Sequence, residues 1–230
     1  MVARSTNQVD VEFMPKGLHD IGQKGMHARL AKTLADTNRL GYDAILLGYG
    51  LCSNGLVGLT ARDTPLVVPR AHDCITLFLG SKERYLEYFH DHPGVYFKTS
   101  GWIERGEHLA QLGGDSIQRQ SGMDLSYEEL VAKYGAENAS YLWEQLGETT
   151  RNYQQLTFIE TGIEPDDRFE RHTEQCAAEK GWKYAKIAGN LALVEGLVNG
   201  PWPEDQFLLV APGHRVVPSY DARIIKAEPV

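Results

Sequence analysis

The chain has 230 residues, 42% hydrophobic and 23% charged, which suits one large globular domain or two small ones and argues against disorder. Its formal net charge is -8 and its pI about 5.5, with no block of Lys or Arg, so nucleic acid and anionic membrane are poor candidates for a main partner. No apolar run approaches the roughly 20 residues a bilayer needs, residues 1–8 hold no apolar signal-peptide core, and three cysteines do not make a disulfide framework, so reduced thiols in the cytoplasm are expected.

In chain order, the alternation around Val11 and Phe13 predicts a strand from Val9 to Met14, closed by Pro15. A loop follows with His19 and Asp20. Met26, Leu30, Leu34 and Leu40 fall near helical spacing and predict a helix from Gly25 to Leu40, with Gly41 at the C′ position. Tyr42 to Leu47 is a continuous apolar run, the pattern of a strand covered on both faces. Leu66 to Pro69 reads as a short strand, Cys74 to Phe89 as a helix with Ile75, Phe78, Leu79, Leu86 and Phe89 inward, and Val95 to Lys98 as a further strand.

Arg105 to Met123 is polar and carries Gly113-Gly114, as an excursion or lid would. Leu125 to Gly147 is helical, opened by Ser126 with Glu129 three residues on. Leu156 to Ile159 is the next strand, Asp166 to Lys180 a helix ending at Gly181, Tyr184 to Ala188 a strand, Leu191 to Val198 a helix, and Phe207 to Val210 a late strand before the Ala211 to His214 turn. Alternation of this kind predicts an α/β protein with a Rossmann-like, doubly wound, mostly parallel sheet. Residues 1–230 read as a single domain, and two similar α/β halves, 1–104 and 125–230, explain the layout nearly as well.

Two segments share one design: a buried strand runs into a tight turn that carries a cysteine. The first holds Gly48, Gly50, Cys52, Asn54 and Gly55. Ligands of open α/β sheets bind beyond the carboxyl ends of the strands, and these glycines let a backbone approach a cofactor closely. Gly48, Gly50, Asn54 and Gly55 are therefore candidate cofactor-binding residues. The second segment crowds Arg70, His72, Asp73 and Cys74 into five positions where a strand ends and a helix begins. A helix N-terminus favours a cysteine thiolate, so Cys74 is expected to have a lowered pKa.

If the two turns are neighbours, Cys52, His72 and Cys74 form a soft donor set suited to zinc or iron, with an open position for catalysis. The spacing alone is weak support, since no paired Cys-x-x-Cys motif is present. Arg70 could hold a carboxylate or phosphate, and Asp73 or Glu104 could handle protons. His19 is a candidate extra ligand, Trp102 an aromatic wall or a core residue, and Cys176 a structural thiol in a helix. Ala188-Gly189-Asn190 is at most a partial phosphate-binding turn. No P-loop, Gly-x-Ser-x-Gly elbow or His-Glu-x-x-His helix occurs.

Taken together, Pro15 to Asp20, Ile45 to Cys52, Pro69 to Ile75 and Gly101 to Glu104 resemble domain-of-unknown-function family 1638 over most of the chain. The resemblance implies little mechanism. Some similar proteins are encoded near corrinoid-dependent methyl transfer systems, which implies a corrinoid cofactor or a methyltransferase or corrinoid-protein partner. Similar proteins usually begin with another cysteine-bearing strand upstream of the segment that starts here at Val9. A shortened N-terminus, lacking a central strand and one ligand, is thus an expectation.

These residues point first to a zinc- or iron-dependent enzyme acting on a small molecule. A non-catalytic metal or corrinoid carrier for a methyltransferase is the alternative, although no Asp-x-His-x-x-Gly corrinoid motif is visible. Third comes a metal-free enzyme in which His72 activates Cys74 as nucleophile.

Overall fold

The computed structural model describes every residue except 16–17, 19–20, 38–40, 105–126 and 142–152. The apolar run Leu66–Pro69 forms β2, with all four residues buried. A strand covered on both faces needs neighbours at each edge. On one side it pairs in parallel with β1, Ile45–Leu46, in the register Ile45 to Leu66 and Leu46 to Val67. On the other it pairs antiparallel with β6, Phe207–Val210, from Leu66 opposite Val210 to Pro69 opposite Phe207.

Five further elements complete the surroundings of this sheet. They are α1 (Gly22–Thr37), α2 (Cys74–Leu79), α3 (Lys82–Asp91), α7 (Ala192–Asn199) and a β7–β8 hairpin (His214–Pro218 with Ile225–Pro229). Val67, Ala71, Leu77, Leu193, Leu197 and Phe207 form one buried cluster between β2, α2, α7 and β6. Each large side chain buried there contributes about 1.5–3 kcal/mol of hydrophobic stabilisation. These elements belong to a first compact unit, Met1–Met14, Gly22–Asp91 and Ala188–Val230.

A second unit comprises Pro15–Ile21 and His92–Ile187. Its sheet has the order β3 (Val95–Lys98), β4 (Gln155–Glu160), β5 (Lys183–Ala188). β3 and β4 are parallel, with Val95 opposite Gln155. Helices α4 (Ser100–Glu104), α5 (Tyr127–Tyr134) and α6 (Arg168–Lys180) belong to this unit. Gly181 ends α6 in the left-handed conformation, φ 66°, as its position in the sequence predicts.

The expected α/β class is therefore present, with strands divided among small sheets of three, three and two strands. Several elements differ from expectation. Residues 9–14 form no strand: they pair with no strand among the described residues, and Phe13 is 89% exposed. The helix predicted from Cys74 to Phe89 is two helices. Gly80 adopts φ 84° and its N–H returns to the Thr76 carbonyl, which stops α2 at Leu79. A side chain at this position would meet Asn190 Cγ at 2.7 Å, so the turn needs glycine for space as well as for φ. The break rotates α3, and Leu86 and Phe89 face solvent rather than the core. Met26, Leu30 and Leu34 of α1 are buried as predicted. Leu40, the Ser126 cap, the 105–123 excursion, His19 and Asp20 lie outside the described residues.

Candidate functional site: two thiols at adjacent strand ends

Because β1 and β2 run parallel and side by side, their carboxyl ends emerge together. The chain beyond them stays paired. Leu47 N–H donates to the Val67 carbonyl at 2.9 Å, Leu51 N–H to Ala71 at 2.8 Å, and Cys52 N–H to His72 at 3.1 Å. Gly50 makes this possible: a Cβ there would sit 2.5 Å from the Asp73 carbonyl carbon, a separation real side chains do not reach. Only glycine lets one cysteine turn lie directly on the backbone of the other. Cys52 then opens a 3₁₀ turn, Cys52–Asn54, in which Asn54 takes φ 57°. Asparagine tolerates that left-handed conformation better than most residues.

The Cys52 sulfur consequently lies beside the Cys74 thiol, and hydrogen bonding to it raises the Cys74 pKa well above the ordinary thiol value, with burial, the charge of Cys52 and the Asp73 carboxylate adding to the effect. The lowered value expected at a helix N-terminus is thus overturned. The helix has only six residues, and the neighbouring sulfur and carboxylate outweigh whatever its dipole supplies.

Asp73 is the N-cap of α2. Its Oδ1 accepts from Ile75 N–H at 3.0 Å and Thr76 N–H at 3.2 Å, and its Oδ2 accepts from the Tyr85 hydroxyl at 3.0 Å. Burial and this carboxylate push the Tyr85 hydroxyl well above its usual pKa. Tyr85 in turn stacks on Phe89 with ring centroids 5.9 Å apart and lies 6.3 Å from the His72 ring, which is exposed.

Arg70 is 4% exposed. Its Nε donates to the Glu204 carbonyl at 2.6 Å and its Nη1 to the carbonyls of Arg223, at 2.8 Å, and Ile225. These bonds tie the end of β2 to the segment before β6 and to the start of β8. Burial lowers its pKa from the ordinary arginine value, and the charge is offset by these carbonyl dipoles and by the nearby Glu204, Asp221 and Asp205 carboxylates.

The remaining candidates fall elsewhere. Gly48 lies against Leu197, and a Cβ at Gly55 would collide with the Met26 side chain at 2.2 Å, so Gly55 seats the turn on α1. Glu104 ends α4 in the second unit and is exposed, and Trp102 of the same helix is half-buried. Asn190 caps α7 through its Oδ1 to Ala192 N–H, 2.8 Å, and its own N–H donates to Phe78. Cys176 is half-buried, with Sγ 3.5 Å from His172 Nε2 one helical turn earlier, a pairing that the four-residue spacing could have suggested. Among the described residues, no group of three or more His, Cys, Asp or Glu side chains is placed to hold a metal. Nor is any helix among them long and apolar enough to cross a membrane.

The molecule is thus a mixed α/β protein with a two-thiol site where two parallel strands end. It belongs to the family described as "Protein of unknown function (DUF1638)", which matches residues 13–198. No curated protein and no solved structure matches the chain.

Proposed function

We propose that the chain is a metal-dependent enzyme acting on a small molecule, with Cys52 and Cys74 as soft ligands for zinc or iron. The observation that supports this most is the meeting of the two cysteine turns at adjacent strand ends, with Cys52 N–H donating to the His72 carbonyl at 3.1 Å, which brings two sulfur donors close together. The donor chemistry fits a soft ion. It supplies two of the three ligands expected of a catalytic centre. His72, exposed and adjacent in sequence to the Asp73 cap, is the candidate for the third. A bound zinc or iron would supply Lewis acidity or an activated water.

The chain's own residues divide the remaining work. Asp73 and Tyr85 fix the first turn of α2 and with it Cys74, while Gly50 holds Cys52 against that turn. Both thiols must lose protons for metal to bind. With Cys74 raised, metal uptake releases protons and strengthens as pH rises. The parallel β1–β2 and β3–β4 pairs also favour reading the fold as a Rossmann-like, doubly wound plan, in which strand carboxyl ends are the usual place for ligands. Reduced thiols and the absence of a spanning helix among the described residues are in keeping with a cytoplasmic setting. A connection to methyl transfer or to a corrinoid rests on the family resemblance alone.

Elemental analysis of anaerobically purified protein, run beside Cys52→Ala and Cys74→Ala, tests the reading. Near-stoichiometric zinc or iron that both substitutions abolish is the expected result. Protein that stays empty after anaerobic loading would overturn it and leave thiol chemistry at the same pair.

A further inference from the structure

At the other end of the same two strands lies a cavity of about 160 Å³, whose walls include Ile45 and Leu66, the first residues of β1 and β2. On engineered precedents, a space of about 150 Å³ accepts a ligand of benzene size. Ala31, Leu34 and Leu59 give it apolar lining, and His27, one helical turn before Ala31 on α1, joins Thr60, Arg62 and Thr64 in giving it polar lining. All of these residues belong to the first unit.

Three features distinguish this cavity from a packing defect. First, His27 Nδ1 is buried and has no hydrogen-bond partner among the described residues. A buried polar atom left in that state is costly unless something else satisfies it. Second, the ring is accommodated deliberately: Gly58 sits at φ 88°, and a Cβ there would press on His27 Cε1 at 3.2 Å. Gly58 is itself anchored, its N–H donating to the Val216 carbonyl at 2.8 Å. Third, the two titratable side chains in the wall are Arg62 and His27, and no carboxylate joins them. In a chain with net charge -8, an arginine and a histidine thus line this cavity with no carboxylate among its lining residues.

From this we infer that the cavity is a binding site for a small carboxylate with a compact apolar body, of the size of benzoate or butyrate. The apolar body would fill the space between α1 and the strand starts. The carboxylate would accept from Arg62, which offers two parallel N–H donors to a planar anion, and from His27 when Nδ1 carries the proton. Threonine hydroxyls at 60 and 64 border the same wall. This site is separate from the thiol pair, and the inference stands whether or not the metal reading does.

Calorimetric titration of the full chain with benzoate and butyrate tests it, with benzyl alcohol as the neutral analogue. Saturable one-to-one binding of a carboxylate is expected, with at least tenfold weaker binding of the alcohol. Arg62→Gln should weaken carboxylate binding about tenfold. Ala31→Leu, which fills the cavity from α1, should abolish binding while leaving the thermal midpoint unchanged or raised, so that lost binding is not mistaken for lost folding. Absence of saturable binding to the parent chain, alcohol binding as tight as benzoate, or binding indifferent to both substitutions would each overturn the inference. Metal content and thiol reactivity should be the same in all of these variants.

Discussion

The turn after β1 and the turn after β2 carry residues of the same chemical promise and use them differently. In the second turn, Arg70 and Asp73 are absorbed by the fold. The guanidinium stitches Glu204, Arg223 and Ile225 carbonyls together, and the carboxylate caps α2 and holds Tyr85. In the first turn, Gly50 leaves room for the Asp73 backbone and Asn54 takes a left-handed conformation that most residues resist, and the effect is to deliver Cys52 to Cys74. A cluster of functional side chains at a strand end is therefore not one site. Part of it builds the platform, and the thiol pair lies where the two turns meet.

That division makes the sharpest prediction at Arg70. If its role is structural, Arg70→Gln should lower stability by about 3 kcal/mol, because it removes charge-assisted bonds and strands buried carbonyls. Denaturant unfolding measures this. Arg70→Lys should recover less than half of the loss, since one ammonium cannot reproduce the guanidinium's spread of donors. A stable Arg70→Gln protein that has lost only ligand affinity would return Arg70 to the binding machinery and dissolve the contrast.

Gly50→Ala should come next, at about 2 kcal/mol, because the added methyl meets backbone that cannot step aside. Its more telling consequence is separation of the two turns, which should abolish metal retention together with stability. Asp73→Ala should cost about 1 kcal/mol as a lost N-cap, and Asp73→Asn much less, because asparagine caps nearly as well. If Asp73 instead served the chemistry, Asn would be as damaging to function as Ala while leaving the melting curve near that of the parent.

How far the sequence carried these conclusions depends on the reach of each interaction. The strand at Leu66–Pro69 and that at Phe207–Val210 were legible to the residue because a short apolar run is a local pattern, although only the first buries both faces and Leu209 of the second is exposed. Two cysteines at two strand ends were equally visible, and so was their adjacency as a condition. What closes that condition, the fit of Gly50 onto Asp73, is a contact across turns that spacing does not encode. The carbonyl bonds of Arg70 could not be foreseen, because the partners lie 134 and more residues away. The β7–β8 hairpin went unread beyond its opening turn for the same reason. β7 is fixed partly by bonds to residues 58–61, including Gly58 N–H to Val216 and Ala61 N–H to His214. Residues 9–14 are the converse case: the alternating pattern is present, yet it makes no strand because no neighbour among the described residues pairs with it.

The smallest predicted effect probes the thiol pair directly. The shared hydrogen bond is the largest cause of the raised Cys74 pKa, and the Cys52 sulfur contributes again through its charge. Cys52→Ala removes both, so the pH midpoint for alkylation of Cys74, followed residue by residue by mass spectrometry, should move to lower pH. Asp73→Asn removes the carboxylate's smaller contribution and should move it in the same direction by less. Stability should respond in step. A thiol whose pKa is raised by folding holds its proton more tightly in the folded than in the unfolded chain. The stabilisation it gives is complete below the ordinary thiol pKa and declines as pH rises through the folded value. In Cys52→Ala that alkaline decline should flatten. An unchanged Cys74 profile in Cys52→Ala would mean that burial alone sets it, and that the two sulfurs are neighbours without being partners.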